Sequence, residues 1–316
     1  MSTPDIVVLG NANVDLTTYV EHAPAEGETV IGHDFTIGMG GKGANQAVAA
    51  TRAGSAVAFI GRRGDDAFGD LVHSSLSEEG LHLEHLGQVS GPSGNATIYV
   101  EDNGANRIAV FPGASATLTP NDVTAAVKSL SGARYFVSQL EMTQEIVLTG
   151  LRAAGDEGMI RILNTAPYSP LIPGIAENTD WLIANEVEME DLLSEAGVSD
   201  SVDGSLEKLE ASIPEWSVAL GCNLVVTLGS KGAVGFTTED GAFFAEAPVV
   251  NAVDTVGAGD CFVGYFVSLM SEDHKWQGAL RGAVAAASES VQHPGAQSSY
   301  PPRTDADAFR KLAKTV

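Results

Sequence analysis

Only two cysteines occur in 316 residues, Cys222 and Cys261, and they lie far apart in apolar stretches. That scarcity excludes a disulfide framework and a thiolate metal cluster, and suits reduced packing residues of a cytoplasmic protein. Basic residues are also few: 17 Lys and Arg stand against 41 Asp and Glu, a formal net charge of −24. The chain therefore lacks the basic footprint that nucleic acid demands. Any phosphate it handles must be met by local donors and a divalent cation, because the long-range field repels anions. No apolar run reaches the roughly 18 residues that span a bilayer. Met1-Ser-Thr-Pro-Asp5 runs straight into a strand without the basic and apolar regions of a signal peptide. The seven histidines are scattered without metal-ligand spacing. The acids are spread along the chain and read as a solvated surface of the kind that tolerates high salt; stability indifferent to salt would remove that reading.

What is present is a hydrophobic content of 44% and a mean hydropathy of +0.07, values of a globular chain long enough to bury a large core. Short apolar runs alternate with helical stretches. Ile6–Leu9, Val57–Ile60, Tyr135–Ser138, Ile160–Leu163, Trp181–Ala184 and Leu224–Leu228 read as strands. Ala44–Ala53 and Asp66–Glu79 read as helices. This rhythm predicts an α/β fold: a doubly wound, mostly parallel sheet with helices on both faces. Residues 13–36 alternate without a helix, and 97–111 read as a hairpin turning at Asp102-Asn-Gly104. These strands cannot join the parallel core and are expected to form a small lid sheet, approximately 13–38 and 95–112. A further hairpin is expected at Glu239-Asp-Gly241. The whole chain, 1–316, reads as one domain carrying that lid.

Asp254-Thr-Val-Gly-Ala-Gly-Asp260 is the segment richest in chemistry. A strand-like run, Ala247–Val253, leads into two small-residue turns, and Asp260 opens an apolar helix through Met270. Glycines 257 and 259 let backbone N–H groups converge at the positive end of that helix, a place for an anion. A carboxylate beside an anion site makes sense if Asp260 takes a proton from a hydroxyl that attacks a phosphate held by those amides. Alternatively, Asp260 only caps the helix.

Gly38-Met-Gly-Gly-Lys-Gly-Ala-Asn-Gln46 formally contains the dinucleotide fingerprint at Gly38, Gly40 and Gly43. It lacks the compact strand–turn–helix setting which that fingerprint needs, and no Gly-Lys-Ser/Thr of a Walker A loop follows. What remains is a close-approach loop that presents Lys42 and Asn45 as donors, suited to a polyhydroxyl ligand.

Six segments occur in the order found in the ribokinase-like (PfkB) sugar kinases: Gly10-Asn-Ala-Asn-Val-Asp15, Gly40-Gly-Lys-Gly-Ala-Asn-Gln-Ala47, Gln139-Leu-Glu141, Asn185-Glu-Val-Glu188, Thr227-Leu-Gly-Ser-Lys-Gly232 and Asp254–Asp260. The chain resembles that family over nearly its whole length. The resemblance implies an ATP-dependent kinase acting on the primary hydroxyl of a sugar, D-ribose being the expected acceptor. It implies Asp260 as base and the amides of Gly257, Ala258 and Gly259 as an anion hole. Asn13 and Asp15, flanked by Ala12 and Val14, would grip the sugar with Gly41, Lys42, Gly43, Ala44, Asn45 and Glu141. Asn185 would approach the nucleotide phosphates and Glu188 would organise Mg²⁺ through water. Thr227, Leu228, Gly229, Ser230, Lys231 and Gly232, with Gly259 and Val284, would seat ATP. A K⁺ site would use the side chains of Asp254 and Ser299 and the carbonyls of Val256, Ser290, His293 and Gly295, an oxygen set suited to a hard cation.

Plainer roles stand beside these. Asp15 and Glu141 can cap strand ends, Lys42 can be solvated, and Asp254 can be a turn residue. Asn185 with Glu188 can be an ordinary helix-capping pair. The chain departs from the family at Val284, where a polar residue near the base is frequent. It departs again at Cys261, where Thr is frequent, and at Asn95 in the lid, while Phe111 is expected to close over the sugar. Another sugar, a sugar acid or a nucleoside remains an alternative acceptor, as does a non-catalytic sugar-binding role. The lid's open edges and apolar face point to a homodimer.

Overall fold

The computed structural model describes residues 3–198 and 205–315. Its main sheet has nine strands in the order β13-β12-β11-β10-β9-β8-β1-β4-β5. These are β1 (Ile6–Leu9), β4 (Val57–Gly64), β5 (His82–Val89), β8 (Tyr135–Ser138), β9 (Ile160–Asn164), β10 (Trp181–Asn185), β11 (Asn223–Thr227), β12 (Gly232–Thr237) and β13 (Gly241–Glu246). Seven are parallel, and β12 and β13 close one edge as the antiparallel hairpin expected around Glu239-Asp-Gly241. The parallel strands are short apolar runs because both faces of the sheet are covered. Alternation divides their side chains cleanly. Ile6 and Val8 pack in one core with Phe59, Val137 and Ile183, while Val7 and Leu9 pack on the opposite face with Ile60 and Phe136.

Helices α1 (Lys42–Ala53), α2 (Ala67–Glu78), α7 (Ala258–Ser271), α8 (Trp276–Ser290) and α9 (Ala306–Ala313) cover the first face. Helices α3 (Pro120–Ser129), α4 (Gln144–Asp156), α5 (Glu186–Glu195) and α6 (Leu206–Leu220) cover the second. The α/β expectation is therefore met. From β1 the chain winds outward through β4 to β5, then returns to lay β8 on the other side of β1 and proceeds to β11. The winding reverses between β1 and β8. In open α/β sheets the crevice beyond the carboxyl ends of such strands is where ligands collect.

A separate four-stranded sheet, in the order β3-β2-β6-β7, leaves that crevice directly. It comprises β2 (Asn13–Val20), β3 (Asp34–Gly40), β6 (Asn95–Glu101) and β7 (Asn106–Phe111). The Asp102-Asn-Gly104 turn joins β6 to β7 as its sequence implies, with Glu101 N–H donating to the Ala105 carbonyl at 2.8 Å. Two expectations need correction. Residues 247–253 form no strand but an irregular run after β13, whose ladder with β12 ends at Glu246. Phe111 pairs across β6 with Asn95, which pairs with Val14, so it stands on the face opposite Asp15. Val110, in line with Ala96 and Asp15, occupies the side assigned to it.

Candidate active site

Asp260 sits in the first turn of α7 and is 5% exposed. Helices α1 and α7 cross so closely that a Cβ on Gly264 would lie 2.5 Å from Ala49 Cβ and from the Gln46 carbonyl oxygen, so this position requires glycine. The small-residue run of α1 thus has a structural cause: it brings the amide side chains of Asn45 and Gln46 onto the carboxylate. Asn45 Nδ2 donates to Asp260 Oδ2 at 3.0 Å and Gln46 Nε2 to Oδ1 at 2.9 Å.

Gly257 caps α7 with φ 74°, in the left-handed region, and an added Cβ would lie 2.7 Å from the Tyr300 hydroxyl. Tyr300 Oη donates to the Gly257 carbonyl at 3.0 Å, fixing the turn from behind. Among the described residues the N–H groups of Gly257, Gly259 and Asp260 meet no acceptor, whereas Ala258 N–H donates to the Thr255 carbonyl at a long 3.3 Å. Three free amides at a helix N-terminus, beside open space at Gly259, give the geometry and dipole to hold an anion.

The crevice beyond β1 and β8 is lined by acids. Glu141, just past β8, accepts Lys42 N–H on Oε2 at 2.8 Å, tying it to the start of α1. Burial raises the Glu141 carboxyl above its usual range; the Lys42 amide and charge oppose this, and Asp260 adds to it. Asp15, on β2, is pushed up to about 6, first by burial and then by the charge of Glu141. Its carboxyl lies against Gly40 on the neighbouring β3. Asn11 and Asn13 are 4% and 3% exposed, and the Oδ1 atom of each is buried without a protein partner. Buried amide oxygens are seldom left alone, so this pair marks a place for donors from a ligand. Ala12, Val14, Gly43 and Ala44 are buried backbone around this pocket, and Gly41 caps α1.

On the far side of Asp260 opens a cleft of about 480 Å³. Thr227, Gly229, Ser230 and Gly232 border it after β11, and Ala258 and Gly259 border it at the anion site. Its walls are apolar: Val249 and Val250 from the irregular run, Phe262 from α7, and Val284 and Val291 at α8. Leu228 is buried behind it, and Lys231 points outward to Glu186 at 3.5 Å. Asn185 and Glu188 form a reciprocal cap on α5. Asn185 Oδ1 accepts Glu188 N–H at 2.9 Å, and Glu188 Oε2 accepts Asn185 N–H at 3.0 Å. Thr165 Oγ1 also donates to that Oε2, at 3.2 Å.

Asp254 staples the turn before α7 to the loop after α8. Its Oδ1 accepts Val256 N–H at 3.0 Å and its Oδ2 accepts Gly295 N–H at 2.8 Å. Ser290 and Ser299 are buried with hydroxyls donating to the Ala287 and Ala296 carbonyls, and His293 is exposed beside Glu289. No group of three or more His, Cys, Asp or Glu able to hold a metal ion occurs among the described residues.

The sequence profile of the pfkB family carbohydrate kinases matches residues 3–303. The chain belongs to that family. It is 36% identical to a deoxyribokinase of Salmonella typhi over 299 residues, covering 94% of this chain and 95% of the relative. It is 34% identical to a ribokinase of Schizosaccharomyces pombe over 322 residues, covering 99% of each. The structure of an Arabidopsis thaliana ribokinase complexed with ribose and ATP superimposes with a TM-score of 0.87 at 30% identity over 100% of both chains. This pfkB kinase is accordingly a phosphotransferase that acts on a sugar hydroxyl.

Of the residues singled out by sequence, Thr227, Gly229, Ser230, Gly232, Ala258, Gly259 and Val284 line the cleft, whereas Asn185, Glu188, Leu228, Lys231, Asp254, Ser290, His293, Gly295 and Ser299 do not. Motif reasoning passed over Asn11, Gln46, Gln139, Asn164 and Gln297 as site residues. Gln46 and Gln139 stood inside motifs already recognised. The available signal was a pair of amides, Asn45-Gln46, in a helix whose other residues are mostly Ala, Gly and Val, since such a helix is buried and its polar side chains need partners.

Proposed function

We propose that this kinase transfers the γ-phosphoryl group of ATP to the primary hydroxyl of D-ribose, giving ribose 5-phosphate and ADP. The observation that carries the reading is Asp260: a buried carboxylate between an acid-and-amide crevice and an apolar cleft, one turn from free helix-terminal amides. In this scheme a sugar in the crevice directs its hydroxyl at Asp260, which accepts the proton as the oxygen attacks phosphorus. The amides of Gly257 and Gly259 meet the charge spreading over the transferred group, with Ala258 holding the turn.

Asp15 and Glu141 accept from sugar hydroxyls and Lys42 donates to them. Asn11 and Asn13 offer two unpartnered oxygens, which favours a sugar rich in hydroxyls. That favours ribose over 2-deoxyribose, the acceptor that the Salmonella relative's name suggests as the second reading. The apolar cleft suits the adenosine part of ATP, consistent with the ligands of the Arabidopsis structure. Glu188 retains Oε1 beyond its cap and, with Asn185 beside it, suits Mg²⁺ bound largely through water; the ion would neutralise phosphate charge. Asp254 with the carbonyls of Val256, Ser290, His293 and Gly295 and the Ser299 hydroxyl offers oxygen alone, which suits K⁺.

The small sheet serves as a lid in this reading, within a single catalytic domain. Phe35 and Ile37 on one of its faces are 53% and 54% exposed, and Ile108 and Val110 on the other are 56% and 57% exposed. A second copy of the chain covers part of this surface in a homodimer; a monomer in sedimentation at micromolar concentration would remove that element. The acceptor is tested by ADP release across a panel of ribose, 2-deoxyribose, other sugars, sugar acids and nucleosides, with and without potassium. Ribose is expected to rank first in kcat/KM. Another acceptor ranking above it overturns the assignment.

A further inference from the structure

Behind Asp260 lies a chain of amides that are nearly all buried and do not line the apolar cleft. Gln46 Nε2, besides donating to Asp260 Oδ1 at 2.9 Å, donates to Asn164 Oδ1 at 3.0 Å. Gln46 Oε1 accepts from Gln139 Nε2 at 2.8 Å, and Asn164 Nδ2 donates to the Ile183 carbonyl at 3.1 Å. On the other flank, Gln297 Nε2 donates to Asn45 Oδ1 at 2.9 Å, and Asn45 Nδ2 donates to Asp260 Oδ2 at 3.0 Å. Gln46 and Gln139 are each 1% exposed, Asn45 and Gln297 each 6%, and Asn164 7%. These five side chains come from separate places: α1, the ends of β8 and β9, and the loop after α8.

An isolated side-chain amide can present either end to a neighbour. An ionised carboxylate only accepts, so both amides that face Asp260 must turn their NH₂ groups toward it. The rest follows. Reversing Gln46 would aim its oxygen at Asp260 Oδ1 and at Asn164 Oδ1, and set its NH₂ against that of Gln139, losing three hydrogen bonds together. Reversing Asn45 would lose two in the same way. The amides are held one way round, and the carboxylate plane is held with them.

We propose that Gln46 is a positioning residue for phosphoryl transfer: clamped by Gln139 and Asn164, it fixes the direction of the Asp260 carboxylate toward the attacking hydroxyl. The proposal rests on the reading of Asp260 as the base. It makes Gln46 act on the chemical step and not on acceptor affinity, because its amide is spent on protein partners. A displaced reacting group can cost about 10²-fold in rate, which sets the scale of the effect.

The test compares Gln46→Met, which keeps the length and removes every donor, with the native protein and with Asp260→Asn. Steady-state kcat and KM for ribose and ATP are measured together with thermal unfolding. Gln46→Met is expected to lower kcat by about 10- to 100-fold while both KM values stay within about twofold of native. Gln139→Met, which removes one of the two clamps on Gln46 while leaving it bound to Asp260 and Asn164, is expected to lower kcat by a smaller factor, about fivefold, again without change in KM. An active Asp260→Asn would remove the base reading, and this proposal with it. An inactive Asp260→Asn beside a Gln46→Met enzyme of native kcat overturns the positioning role alone, as does a KM for ribose that rises as far as kcat falls. If Gln46→Met does not fold, Gln139→Met decides: native kcat there overturns the proposal, and a kcat loss at constant KM upholds it.

Discussion

The two regions flanking Asp260 are built from opposite materials. On the proposed acceptor side, Asp15, Glu141, Asn11 and Asn13 crowd polar groups together, at an electrostatic cost visible in the raised carboxyls. On the proposed nucleotide side, the cleft is largely apolar, lined by valines, Phe262 and small residues, with Thr227, Ser230, Thr255 and Ser288 among them. A polar crevice whose groups go unpaired when a hydroxyl is missing discriminates strongly between ligands, whereas an apolar slot separates them by only a few kcal/mol per group at most. Under the proposed assignment, the contrast teaches that selectivity resides in the acceptor side and that the nucleotide side supplies grip.

The largest effect is expected at the boundary between the two. Asp260→Asn should lower kcat by at least about 10³-fold while leaving sugar affinity within a few-fold, as for other groups that act only in the transition state. Stopped-flow or isothermal binding alongside turnover checks this, and near-native turnover would dissolve the boundary altogether.

Next come Glu141→Gln and Asp15→Asn, expected to raise KM for the acceptor by about 10- to 100-fold, the scale of a hydrogen bond to a charged group. KM for ATP should not move. The same Asp15→Asn variant is expected to unfold at a higher temperature than native above pH 6, because it removes a buried charge; a lower midpoint would contradict the buried-charge account.

A third measurement uses pH. Asp15 titrates at about 6 in the folded chain against 3.8 as a free side chain. The folded form therefore holds the proton over a window in which the unfolded chain has lost it. Stability of the ligand-free protein from this group falls as pH rises from about 4 to about 6 and is level above. Acceptor binding, which uses the ionised form, runs the other way: KM for the sugar should rise by up to about tenfold for each unit that pH drops below 6. Asp15→Asn should abolish that limb of the profile.

The smallest effect belongs to the nucleotide side. Val284→Ala removes two methyl groups from the cleft wall and should raise KM for ATP only about three- to tenfold, at roughly 1 kcal/mol. A hundredfold loss there would reverse the comparison.

Much of this was legible from sequence because each signal was local. The short apolar runs at Ile6–Leu9 and Tyr135–Ser138 became parallel strands with unchanged bounds, and Asp102-Asn-Gly104 became the hairpin it resembled. The Asn185/Glu188 cap was also readable, since both partners lie within four residues. What was not legible depends on distance or on tertiary context. Residues 247–253 read as a strand-like run, but the β13 ladder ends at Glu246; only Ala247 N–H and Val253 N–H, at the two ends, donate to backbone carbonyls, of Lys231 and Val291, and the stretch between them forms part of the cleft wall. Phe111 was placed over the sugar by proximity in sequence, and a one-residue step in register puts it on the other face. Asn45 reads as a sugar ligand from its motif, yet its amide is engaged by Asp260 and Gln297, 215 and 252 residues away.

Asp15 belongs to the small sheet and Glu141 lies just past β8 of the parallel one, so two like charges interact across a seam between the sheets. The charge of Glu141 raises the Asp15 carboxyl, so the two repel when both are ionised. In the proposed reading, a sugar that donates hydroxyls to both turns the repulsion into a clasp. Occupancy and approach of the two sheets are then linked: whatever draws them together tightens the grip, and by the same free energy the grip draws them together.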